Sequence, residues 1–122
     1  GHPLAAAAAL ATLDTYKEEG LFDRVKSLEA RWADAAMSLK GAPLVEDIRT
    51  LGLVAAIDLK PIDGLPGKRA YNAMETGFHD HDIMLRNTGD TIALSPPLII
   101  KDEQIDEIFG KKLPAVLKAI AA

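Results

Sequence analysis

The chain has 122 residues, fewer than the roughly 150 of a typical domain, so one folded unit is expected. Its 14 basic and 18 acidic side chains give a net charge of −4, which argues against non-specific grip on nucleic acid or an anionic membrane. The absence of cysteine excludes disulfides, thiolate nucleophiles and zinc–thiolate sites, and no apolar run approaches the roughly 18 residues of a membrane span.

Pro3 suits the first position of a helix, and the alanine-rich stretch after it predicts helix over 4–19, stopped by Gly20. This stretch is the longest apolar run, yet it lacks the basic flank of a signal peptide, so a cytoplasmic location is expected. Residues 21–40 predict a second helix, with Phe22, Val25, Leu28, Trp32 and Leu39 at the 3.6-residue period. After Pro43 the pattern changes to strands, a weak one over 44–49 and a stronger alternation over 53–59, with Gly52 as a turn or bulge between them. Residues 61–67 read as a loop and 68–78 as a short helix. Strands over 83–86 and 91–95 flank Asn87-Thr88-Gly89-Asp90 as a hairpin, closed by Pro96-Pro97, which cannot donate to a ladder. Residues 101–122 form the last helical stretch, with Asp102 as expected N-cap. Pro114 removes the bond to the Gly110 carbonyl, predicting a kink or break near 110–114. This order predicts an α/β (α+β) two-layer fold: a small, mostly antiparallel sheet of three to four strands covered by helices. Helices over 1–41 lead into a sheet-bearing part over 44–122, the whole forming a single domain.

Four local features bear on chemistry. His79-Asp80-His81-Asp82 has metal-ligating residue types, but two histidines without a third supported ligand fit a solvated turn better. Gly64-Leu65-Pro66-Gly67-Lys68-Arg69 has glycines and a lysine, yet lacks the spacing and the hydroxyl residue of a phosphate loop, so a surface loop is expected. The nine lysines sit on charged helix faces or in loops, whereas an imine-forming lysine needs an apolar pocket or a neighbouring cation. Ser38 and Ser95 lack a nucleophile-elbow context. Arg86 closes an apolar strand on the face opposite Ile83 and Leu85, and on spacing alone a salt bridge to Asp90 suits it.

The run Leu85-Arg86-Asn87-Thr88-Gly89-Asp90-Thr91-Ile92-Ala93-Leu94-Ser95-Pro96-Pro97 closely resembles the C-terminal signature of class III, fold-type I, pyridoxal-phosphate aminotransferases, in the ω-amino acid–pyruvate (β-alanine–pyruvate) branch. Gly1-His2-Pro3 opening an alanine-rich helix, and Arg49-Thr50-Leu51-Gly52-Leu53 within a strand pair, resemble the same family. The resemblance implies the C-terminal small domain of a homodimeric transaminase. The cofactor, pyridoxal 5′-phosphate, is then held by a large domain that precedes these residues, so no catalytic or cofactor-binding residue is expected here. It also implies that Arg86 binds the substrate carboxylate and swings away for a substrate without one. The implied partners are the large-domain portion and small molecules such as pyruvate, alanine and an ω-amino acid or amine. His79 to Asp82 replace the Gly-Leu-type turn usual in the family. Two other readings stay open: a non-catalytic module that binds small carboxylates, and a structural remnant of the fold.

Overall fold

A computed structural model describes residues 1–122. Helices α1 (Pro3–Glu18) and α2 (Leu21–Met37) precede strands β1 (Val45–Leu51) and β2 (Val54–Leu59). Helix α3 (Lys68–Asp80), strands β3 (Arg86–Thr88) and β4 (Thr91–Leu94), and helix α4 (Asp102–Glu107) follow. A π-helical turn over Ile108–Lys112 connects α4 to α5 (Leu113–Ala121). The four strands form one sheet in the order β1-β2-β4-β3, antiparallel throughout, as the pattern predicts.

Alternation gives the sheet two unlike faces. Ile48, Ala55, Ile57, Leu59, Ile92 and Leu94 point inward and are buried. Directly paired residues share a face, so Arg49, Ala56, Ala93 and Arg86 form one row across the other side. The inner face packs under α2, which lies on β1, and α3, which lies on β3 and β4, with α5 against α3. Twenty buried residues form one contiguous core centred on Trp32, Ile57, Ile92, Phe109 and Leu117. Burying each large aliphatic side chain contributes about 1.5–3 kcal/mol, so this cluster, more than any single polar contact, stabilises the fold.

Helix α1 contributes nothing to that core. All of its residues are exposed except half-buried Tyr16, whose ring meets Phe22 edge-on at 5.3 Å. Gly20, at φ 60°, makes the left-handed break between α1 and α2.

Three boundaries differ from expectation for identifiable reasons. The strand expected over 83–86 begins only at Arg86, because the Ile83 N–H donates to the Gly77 carbonyl (3.0 Å) and ties this segment to α3. Asp102 is not the N-cap of α4. Lys101 is, with its N–H donating to Gln104 Oε1 (2.9 Å), while Asp102 lies 3.7 Å from Arg31 Nε. The break expected near 110–114 appears as the π-helical widening over Ile108–Lys112, centred two residues earlier, and it leaves Pro114 in the first turn of α5 where it needs no N–H. No helix is long and apolar enough to cross a membrane.

Candidate functional site

The β3–β4 hairpin carries Arg86. Its ladder starts at the pair Arg86–Ala93, so residues 83–85 and 95–97 diverge beyond it. A cavity of about 590 Å³ opens there, lined by Trp32, Met74, Leu85, Arg86, Pro96 and Ile108 among others. Its walls are mostly apolar, and Arg86 is its one charged residue. Alternation sends Leu85 into the core and leaves Arg86 exposed.

Arg86 has neither a hydrogen-bond partner nor an ion pair within the chain. Arg24, Arg31 and Arg49 are engaged with the Ile100 carbonyl, Asp106 and Asp58 respectively. Arg69, also without a side-chain partner, is half-buried with its Nε enclosed. The salt bridge to Asp90 suggested by spacing does not form. The Asp90 carboxylate instead accepts from the backbone N–H groups of Gly67 (2.7 Å) and Arg69 (3.2 Å), at the start of α3. The Gly64–Arg69 segment, expected as a surface loop, thus offers two amides to an anion, and that anion is the chain's own.

The segment entering Arg86 is fixed from the other side. Lys112 Nζ, carried on the π-helical turn, donates to the carbonyls of His81 (2.9 Å) and Asp82 (3.1 Å) and lies 3.5 Å from Glu107. Asp82 takes a left-handed backbone (φ 50°) there. Gly77 lies below it, where a Cβ would sit 3.1 Å from both the Ile83 carbonyl oxygen and Leu85 Cδ1 and press on this segment. Neither Asp90 nor Lys112 was legible as a tether, because each acts on backbone far away in the chain. The only local signal was a Gly-Asp pair at a hairpin tip.

His79 and Asp80 belong to the last turn of α3, and His81 follows as its C-cap. No three His, Cys, Asp or Glu side chains converge as a metal site. Eight of the nine lysines are exposed, and Lys112 is committed to the carbonyls above. Two hydrogen-bonded carboxylates shift their neighbours: Asp58 raises the Arg49 guanidinium, and Glu75, 3.0 Å from the Tyr71 hydroxyl, raises the phenol.

On the outer face Asp58 accepts from Arg49 Nη2 (3.0 Å) and the Thr91 hydroxyl (2.7 Å). Chiefly the Arg49 hydrogen bonds, with help from Thr91 and against burial, hold its carboxyl below the usual range. A depressed folded-state pKa contributes stability above the unfolded value and loses it as acid protonates the folded carboxyl. Asp58→Asn is therefore expected to lower the melting temperature slightly at neutral pH, with the gap to the parent closing below the ordinary carboxylate range. A gap constant across that range in a melting series would refute the linkage.

The fold agrees with that of the proteins the chain is similar to. The aminotransferase class-III family model matches residues 1–116. An omega-aminotransferase of Caulobacter vibrioides is 53% identical over 107 residues, covering 88% of this chain and 24% of that protein. A putrescine–pyruvate aminotransferase of Pseudomonas aeruginosa is 34% identical over 118 residues, covering 89% of this chain and 25% of that protein. In three dimensions, a PMP-bound aminotransferase from Vibrio fluvialis superposes with a TM-score of 0.86 at 28% identity, covering 98% of this chain and 27% of that one. The chain belongs to the class-III aminotransferase family, a pyridoxal-phosphate-dependent group, on its ω-aminotransferase side. It spans about a quarter of the length of the curated relatives it matches.

Proposed function

We propose that this chain is the C-terminal small domain of a pyridoxal-phosphate-dependent ω-transaminase that passes an amino group from an ω-amino acid or amine to pyruvate. The observation that carries the reading is Arg86: an exposed, unpaired guanidinium at the mouth of an apolar cavity. When bound in the longer enzyme, the cofactor supplies the carbanion chemistry. In this reading the preceding large domain holds it, so the chain alone is expected to show no turnover. Its contribution is to close the active site and to grip a carboxylate. The guanidinium offers a planar fork of N–H donors, which matches the two oxygens of pyruvate or alanine. Left in place against an apolar amine it would lose hydration without gaining a partner, so a side chain free of internal partners suits both half-reactions. The name of the Pseudomonas aeruginosa relative supports pyruvate as acceptor. A homodimer is implied by the family.

The test uses the full-length enzyme that carries these residues. Arg86→Ala is expected to raise KM for pyruvate far more than KM for a simple amine. Equal changes for the two substrates would defeat the assignment.

A further inference from the structure

We propose that Asp90 is the positioning residue for Arg86: its carboxylate fastens the tip of the β3–β4 hairpin to the first turn of α3 and so sets where the guanidinium reaches. This rests on the carboxylate-binding reading of Arg86. Strand β3 has only three residues and pairs on one side alone, so its own ladder defines its direction weakly. Both ends of the segment therefore need outside anchors. Lys112 supplies the first, at His81 and Asp82. Asp90 supplies the second, through the Gly67 and Arg69 amides, while its own carbonyl accepts from the Leu59 N–H (2.9 Å). The turn and the helix start lie close enough that a Cβ on Gly67 would sit 3.6 Å from the Gly89 backbone. The α3 N-terminus favours a negative partner, so the carboxylate suits this place better than a neutral side chain. Asp90 touches no substrate in this scheme. It removes freedom from the strand while leaving the Arg86 side chain free to turn.

The experiment compares Asp90→Ala, Asp90→Asn and Arg86→Ala, and the double variant Arg86→Ala/Asp90→Ala, in the full-length holoenzyme. Asp90→Ala is expected to raise KM for pyruvate roughly ten- to hundredfold, the scale of a displacement of about 1 Å at a binding group. KM for a simple amine should stay within about twofold. Asp90→Asn keeps one acceptor oxygen but loses the charge and the second acceptor, so a smaller rise in KM confined to pyruvate is expected. That selective rise carries the test if the alanine variant fails to fold; no rise, or an equal one for the amine, overturns the role. In the Arg86→Ala background Asp90→Ala should add nothing to KM for pyruvate, because the effect runs through the guanidinium. An Asp90 effect that persists in that background, or that strikes both substrates alike while Arg86→Ala still discriminates, overturns the positioning role and leaves the carboxylate reading intact. If Arg86→Ala itself does not discriminate, both fall.

Discussion

Trp32→Ala is expected to cost about 3–5 kcal/mol of folding stability, the range for truncating a large aromatic in a core. Trp32 is completely buried, meets Phe109 edge-on at 4.9 Å, and floors the cavity beside Arg86. Whole domains are stable by only about 5–15 kcal/mol, so this single change removes a large part of the total. One circumstance moderates it. The indole Nε1 is buried without a partner in the chain, so alanine also deletes an unsatisfied donor, which places the loss toward the low end of that range. Trp32→Phe separates the two effects. It keeps most of the volume and drops the donor, and its loss should stay below about 1.5 kcal/mol. Denaturant unfolding of the full-length enzyme and its variants measures both. A Trp32→Ala loss under about 1 kcal/mol would show that the core does not depend on this side chain.

The second large effect falls on binding. In the full-length enzyme, losing the Arg86 fork should cost about 3 kcal/mol toward a carboxylate substrate, the low end for two charge-assisted hydrogen bonds at a solvent-accessible mouth. That corresponds to roughly a hundredfold rise in KM for pyruvate. Arg86→Lys keeps the charge but loses the paired geometry, so it should fall between parent and alanine. Steady-state kinetics with pyruvate and a simple amine read out both variants. If lysine matched arginine, charge alone would explain the grip and the fork argument would fail.

Much of this was legible in the residues. The period of Val25, Leu28 and Trp32 gave α2, although Phe22 is exposed and Leu39 lies past its end at Met37. The alternation of Leu53 to Leu59 gave β2, and Gly52, at φ 55°, makes the turn between β1 and β2. Arg86 stood out because a charged residue follows an apolar run and precedes a turn. What stayed hidden was long-range. Nothing local marks the Gly77 carbonyl as the acceptor that delays β3, or Lys112 as the donor to a loop some thirty residues earlier. The same holds for Asp90, whose nearest charged candidate by spacing was Arg86, while the amides it serves lie more than twenty residues upstream. Spacing rules see neighbours along the chain, whereas carboxylates and ammonium groups go to whichever backbone groups the packing leaves without partners.

The strand order leaves β1 and β3 as the two outermost strands of the sheet. Such strands are templates on which another molecule can add itself, the route to aggregation and amyloid. Here β1 bears Glu46, Asp47 and Arg49, and β3 is too short to recruit a long guest. The brevity that leaves the guanidinium unencumbered therefore also guards this sheet edge against strand addition, so a stabilising redesign that lengthened β3 would trade that protection for order.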